Sequence, residues 1–318
     1  MPARLQKLLS ICRETGKFGN TFRKLFLKLT GGKNSMKTYP ECYTCIFRQA
    51  VTAVKLNCPD QNLQIQTLQK VLNTLAEIDD KLSPSAIAGE TNRVIRESIG
   101  VDDLYQADKI SSHKNAIRYL DDLRTLLKQS QDPLEQGLKI SAAGNIIDIV
   151  HANDYDLWEE VETTVSQDLQ GEGLEAFRKK VNEVPHLLYL ADNVGETVFD
   201  RVFIESLDIP VMYAVKSGPV LNDATLKDAL AAGIDQVAEI VETGSWAPGT
   251  ILYQSSDKFQ QLFKASPLVL SKGQANYETM DEQGEKVFFL LRVKCPVLSE
   301  RLNVPLGNLV LKQGNPLN

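Results

Sequence analysis

The stretch LLYLADNVGETVFDR, residues 187–201, decides how the rest of the chain is read. A short apolar run stops at Asp192-Asn193, and Gly195 and Glu196 precede the next apolar stretch. That is the pattern of a buried strand passing into a helix. Such a turn needs one capping residue. Here an acid and an amide stand side by side.

Around this stretch the same texture repeats. After about residue 136, the runs LKISAA, HLLYLA, VMYAV, QVAEIV, PLVLS and KVFFLLRV alternate with helical patterns. They predict crossover units around a mainly parallel sheet, hence an α/β fold over 136–318. The residues after each run read GNIID, DNVGE, KSGPVLND, ETGSWAPGT, KGQANYE and KCPV. Ligands of open α/β sheets bind beyond the carboxyl ends of the strands, so these polar tips are expected to share one edge.

The preceding region is different. From about 38 to 135 the apolar spacing is helical in ECYTCIFRQAVTAVKL, LQIQTLQKVLNTLAEI and NAIRYLDDLRTLLKQS. SPSAIAGETNRVIRESIG has Ser83 as cap, Pro84 at the first helical position and Gly100 at its end. Residues 36–135 therefore predict an all-helical unit. Residues 1–35 hold eight basic side chains against Glu14 alone, a formal +7. They are expected to be a poorly ordered extension, with an anionic surface as the partner their basic, amphipathic spacing would suit. GGKNS follows as a joint, and Met36 stands where a shorter chain would begin.

With 318 residues, 43% hydrophobic and 24% charged, the composition is that of a globular protein of about two domains. No apolar run approaches the ~20 residues of a membrane span. A net charge of −6 offers no general footing for nucleic acid. A secretory signal is absent from the pattern, so a cytoplasmic setting with reduced thiols is the expectation for Cys12, Cys42, Cys45, Cys58 and Cys295. Cys42 and Cys45 form a C-x-x-C at a helix start, and Cys295 is a candidate third thiol. Buried free cysteines are the first reading, with redox or metal roles behind it.

Asp192 and Asn193 offer hard oxygen ligands on adjacent residues, and Asp223 in LNDATLKDAL is a second carboxylate from the next crossover. Two carboxylates and an amide oxygen suit Mg²⁺ or Mn²⁺. The competing reading makes Asp192 and Asp223 caps of the helices that follow them. Lys272-Gly273 places a cation and bare backbone at a strand tip, as a phosphate would require, or as a turn would. Asn145 and Asp148 are candidates to reach the same edge, and Ser217 to add a donor. Glu196 is either a first-turn acid or a partner of the ion.

Other chemistries lack their residues. Of the three histidines, none forms H-E-x-x-H, and there is no G-x-S-x-G elbow, Walker A loop or G-x-G-x-x-G fingerprint. Val194 stands where a haloacid-dehalogenase-like phosphatase wants a second Asp.

YPECYTCIFRQA, DPLEQGLKISAAGNIID, ADNVGETVFDR, KSGPVLNDAT, PGTIL and KGQANYE, in this order, resemble the domain-of-unknown-function-89 proteins, the metal-dependent damage-control phosphatases. The C-x-x-C and Lys294-Cys295 resemble the subgroup common in prokaryotes, and the resemblance runs from about Met36 to Leu302. It implies a helical N-terminal domain on a three-layer Rossmann-like α/β domain. It implies a divalent ion (Mn²⁺, Co²⁺, Ni²⁺ or Mg²⁺) held by Asp192, Asn193 and Asp223, a phosphate contact at Lys272 with Asn276 nearby, and a Gly-Asn-x-x-Asp element at Asn145 and Asp148. Gly273 and Ser217 complete the substrate side, and Asp192, Lys272 and Glu196 the catalytic set. The expected function is hydrolysis of phosphomonoesters of small metabolites, sugar phosphates or damaged phosphometabolites. The ion grips the ester, Lys272 neutralises developing charge, and an activated water attacks phosphorus. An arginine-containing loop that selects substrate in eukaryotic relatives has no counterpart here. The competing functions are carboxyl methyl transfer and a noncatalytic metal- or nucleotide-binding module.

Overall fold

Pro40 opens the first helix, where its missing N–H costs nothing, and α1 (Pro40–Asn57) turns Ile46, Ala50, Ala53 and Val54 inward. In α2 (Gln61–Glu77) the Asp60 carboxylate accepts from the N–H groups of Asn62 and Leu63. Ser83 caps α3 (Pro84–Ile99) by accepting from Ala86 N, and Gly100 ends it in the left-handed region at φ 72°. These three helices bury Ile46, Val54, Val71, Ile87 and Ile95 in a core of their own. The computed structural model describes residues 36–79, 81–146 and 157–317. The basic extension, with its expected surface contact, and Asp148 lie outside them.

Three further helices, α4 (Gln106–Ile117), α5 (Leu120–Lys128) and α6 (Pro133–Ala143), follow. NAIRYLDDLRTLLKQS is thus two helices and not one, broken at Arg118-Tyr119. LKISAA is a correction too: it is the last part of α6, not a strand. Leu138, Ile140, Ser141, Ala142 and Ala143 are all buried, which erases the polar side that would have shown the helical period. By shared core these helices go with the sheet, since Ala116, Leu123 and Leu138 pack with Tyr189 and Leu270.

After α7 (Leu157–Val165) and α8 (Gly173–Glu183) the chain alternates β1 (Leu187–Leu190), α9 (Thr197–Glu205), β2 (Val211–Val215), α10 (Leu226–Ala231), β3 (Glu239–Glu242), α11 (Asp257–Ala265), β4 (Val269–Lys272), α12 (Gly273–Met280), β5 (Val287–Arg292), α13 (Pro296–Leu302) and β6 (Leu309–Gln313). The sheet order is β3-β2-β1-β4-β5-β6. Neighbours among β1 to β5 pair parallel, and β6 joins β5 antiparallel.

β1 shows why three layers form. Its four residues are all buried, with Leu187 and Tyr189 in one core and Leu188 and Leu190 in the other. A parallel strand covered on both faces has no polar alternation. Each fully buried leucine contributes about 1.5–3 kcal/mol against an exposed one. From β1 the chain winds outward through β2 and β3, then returns to β4 on the other side of β1. That reversal opens a crevice at the carboxyl ends of β1 and β4. No helix among the described residues is long and apolar enough to cross a membrane.

Candidate active site

β1 delivers Asp192 and Asn193 to that crevice, and β2 delivers Lys216 and, seven residues on, Asp223. Two main-chain bonds stitch these tips together: Ala224 N donates to Asp192 O at 2.8 Å and Val194 N to Asn222 O at 2.9 Å. Asn193 and Asp223 thereby face each other as a short antiparallel bridge.

Neither acid caps a helix. The turn at Val194–Glu196 has Asn193 at its N-cap with no side-chain bond, and α10 is capped by Thr225 in a capping box with Asp228. Asp192, Asn193 and Asp223 are 6%, 6% and 3% exposed, so three oxygen-bearing side chains are buried without a capping role. Asn193 Nδ2 donates to Glu196 Oε1 at 2.9 Å and to Asp192 Oδ2 at 3.2 Å, leaving its Oδ1 for a cation. Asp223 Oδ2 accepts no hydrogen bond, and its nearest charge is Lys216 Nζ at 3.6 Å.

Gly273 is what lets β4 approach. Its φ is +79°, and a Cβ there would lie 1.8 Å from Asp192 Oδ2. Gly144, just past the end of α6, also allows a close approach, since a Cβ there would sit 2.9 Å from the Glu196 Cα.

Beneath the tips lies a second network. Lys272 Nζ donates to Asp200 Oδ1 at 2.7 Å, Glu196 Oε2 at 2.8 Å and the Ser141 carbonyl at 3.0 Å. Asp200 also accepts from Tyr189 OH at 2.6 Å, Tyr213 OH at 2.7 Å and Ser141 Oγ at 2.8 Å. Asn145 Nδ2 donates to Glu196 Oε1 at 2.7 Å. Asn276 ties the loops, donating to Ala191 O at 3.1 Å and Lys272 O at 2.7 Å while accepting from Thr250 Oγ1 at 2.7 Å. Ser217 Oγ accepts from Gly244 N at 2.7 Å, linking the tips of β2 and β3.

The charges follow from this packing. Burial, then the charges of Glu196 and Asp223, push the Asp192 carboxyl well above the usual carboxylate range. Burial lifts Asp223 to about 6, against the pull of Lys216 and Lys109. Burial also acts to raise Glu196, but the charge and hydrogen bond of Lys272 outweigh it and hold the carboxyl below its ordinary value. Asp192, Glu196, Asp200 and Asp223 are buried with Lys216, Lys272 and, acting on Asp223, Lys109, which leaves a deficit of positive charge. Unpaired buried charge is costly, and a divalent cation would cancel this deficit. The set is two carboxylates and an amide: among the described residues no three His, Cys, Asp or Glu side chains converge tightly enough to hold an ion by themselves. An apolar groove of about 560 Å³ between α1 and α2, lined by Tyr43, Phe47 and Leu72, contains none of these acids.

Asp192, Asn193, Asp223, Glu196, Lys272, Gly273, Asn145 and Asn276 are thus brought to one edge, while Ser217 serves a loop. Sequence reasoning missed Asp200, Tyr189, Tyr213, Ser141 and Lys216. The available signals were an acid one helical turn after Glu196 and a lysine directly before Ser217.

Fold and site define a doubly wound, Rossmann-like α/β protein with an acidic, oxygen-rich centre at its switch point. Residues 38–310 match the damage-control phosphatase ARMT1-like domain, and the chain belongs to that family. It is 32% identical to an uncharacterised protein of Methanocaldococcus jannaschii, over 90% of this chain and 98% of the relative. It is also 32% identical to a damage-control phosphatase of Pyrococcus horikoshii, over 86% and 97%. A damage-control phosphatase of Archaeoglobus fulgidus is 28% identical over 87% and 99%. The crystal structure of a DUF89 family protein from P. horikoshii superposes with a TM-score of 0.82 at 29% identity, covering 88% of this chain and 99% of that one.

Proposed function

We propose that the chain is a metal-dependent phosphatase hydrolysing phosphomonoesters of small metabolites, sugar phosphates or damaged phosphometabolites. The observation that carries the reading is the set Asp192, Asn193 and Asp223, buried oxygen donors with no capping role in a site short of positive charge. Two relatives that match nearly end to end are named damage-control phosphatases, which supports the same reaction class.

Asp192, Asn193 and Asp223 would hold the ion, and Mn²⁺, Co²⁺, Ni²⁺ and Mg²⁺ all suit such oxygen donors. When bound, it supplies Lewis acidity toward a phosphoryl oxygen. The residues of the chain do the remaining work. Glu196 orients the Asn193 amide by accepting its Nδ2 and so fixes which atom faces the ion. Lys272 holds Glu196 ionised and anchors it against Asp200. The stitched backbone fixes Asp192 relative to Asp223, so the substrate need not order them.

The test is phosphate release from a panel of sugar phosphates and damaged phosphometabolites with each of the four ions added. Turnover should be abolished by EDTA and fall at least ~100-fold in Asp192→Ala. Equal turnover in wild type and variant, or activity indifferent to EDTA, would overturn the assignment.

A further inference from the structure

Two residues before Asp223 the backbone bends against its own side chain. Asp223 N donates to Val220 O at 3.1 Å, closing a β-turn whose first central residue is Leu221. Its φ is +46°. A positive φ at that place in a turn is ordinarily left to glycine, asparagine or aspartate, because a larger side chain crowds the neighbouring carbonyl. A bulky residue stays there only where its surroundings impose it, and residues held this way gather at functional sites. Asn303, the other positive φ outside glycine among the described residues, is of the tolerant type and ends α13. Leu221 is not of that type.

The surroundings are the helical unit. Leu221 closes a gap of about 10 Å³ shared with Ala50 and Ala53 of α1 and Ala88, Thr91 and Ile95 of α3. Helix α3 also grips the chain on either side. Arg96 Nη1 donates to Pro219 O at 3.2 Å, and a Cβ on Gly89 would meet Pro248 Cδ of the β3 tip at 2.8 Å. From Leu221 the constraint passes straight into the centre: Asn222 O accepts from Val194 N at 2.9 Å, and Asp223 stands opposite Asn193. Helices α1 to α3 supply none of the oxygen donors, yet they hold the turn that carries one. We propose that Leu221 is a positioning residue, the plug by which the helical unit forces the Val220–Asp223 turn into its strained shape and so fixes the Asp223 carboxylate beside Asp192 and Asn193. This rests on the reading of those three residues as metal ligands. The helical unit thereby presets one ligand, and the ion need not order the loop when it binds.

Calorimetric titration of wild type, Leu221→Ala, Leu221→Gly and Leu221→Met with Mn²⁺ tests this, beside crystal structures of the metal-free Ala and Gly variants. Alanine lacks the plug and resists the positive φ, so its turn should relax and Mn²⁺ affinity should fall about tenfold, the size of the strain one such residue stores. Glycine also lacks the plug but adopts the conformation freely, and methionine keeps the apolar reach. Both should bind within about threefold of wild type. A merely packing role predicts the opposite order, with glycine the worse of the two truncations. Unchanged affinity in Leu221→Ala overturns the proposal, as does Leu221→Gly or Leu221→Met binding as weakly as Leu221→Ala. If the wild type binds no ion, the metal reading fails by itself and the crystal structures decide Leu221. Asp223 displaced in Leu221→Ala and in place in Leu221→Gly sustains the plug, and Asp223 unmoved in Leu221→Ala removes it.

Discussion

Asp192 and Asp223 gain nothing for stability from where they sit. Each is buried, and Asp192 is further raised by the charges of Glu196 and Asp223. Residues of this kind trade stability for a ligand. In metal-free protein, Asp192→Asn is expected to raise the melting temperature by about 2–4 °C, corresponding to roughly 1 kcal/mol, while turnover falls at least ~100-fold. A melting curve taken in EDTA beside an activity assay checks both signs. Gly273→Ala makes the opposite prediction for stability. Its Cβ would strike the Asp192 carboxylate at a left-handed φ, so about 1–3 kcal/mol of stability and the affinity for the ion should fall together. A variant that melts like wild type would show that the loop can move aside. At this scale the doublet and Asp223 were legible in the sequence, because polar residues at a strand tip stand out. Asp200 and its tyrosines were not, because an acid inside an apolar helix carries no mark of the lysine 72 positions away that neutralises it.

Among the elements, α12 joins the core of α1–α3 to the sheet core that holds Leu188 and Leu190. Glu278 on α12 accepts from Ser85 Oγ of α3 at 2.6 Å and from Gln274 Nε2 at 2.8 Å, and its carbonyl accepts from Met36 N at 2.9 Å. Burial raises its carboxyl above the ordinary 4.5, against the pull of those two side-chain bonds. A raised acid holds its proton more tightly when folded. Its contribution is therefore full below pH 4.5 and is lost as pH rises through the folded value. Glu278→Gln, which cannot ionise, should match wild type near pH 4 and melt about 2–4 °C higher at pH 7. A constant offset across that range would mean that the carboxyl does not titrate against folding. Strands β1, β2, β4 and β5 were readable as buried apolar runs with polar tips, and β3, part-exposed at the sheet edge, as the run QVAEIV. β6 went unread, and LKISAA imitated the buried strands because α6 lies wholly inside. The break between α4 and α5 escaped notice because Arg118 and Tyr119 carry no glycine or proline to announce it.

For the whole molecule, the shortage of positive charge at the site would make the fold and the proposed ion a linked system. At about one hundred times its dissociation constant, an ion bound by the native state alone adds about 2.7 kcal/mol. Thermal melts should rise with Mn²⁺, Co²⁺, Ni²⁺ or Mg²⁺ and return with EDTA. No shift with any of the four would sink the centre.

The stitched tips carry one more consequence. Asp192 and Asp223 belong to loops sewn to each other by main-chain bonds, so the bite of the proposed chelate would be set by the peptide and not by flexible side chains. Such a clamp cannot widen for a broad ion without tearing its own seam. It should sort by ionic radius, favouring ions of about 2.0–2.2 Å bond length over calcium at 2.3–2.6 Å. Competition of calcium against manganese reads this directly: the larger ion should displace the smaller only in large excess.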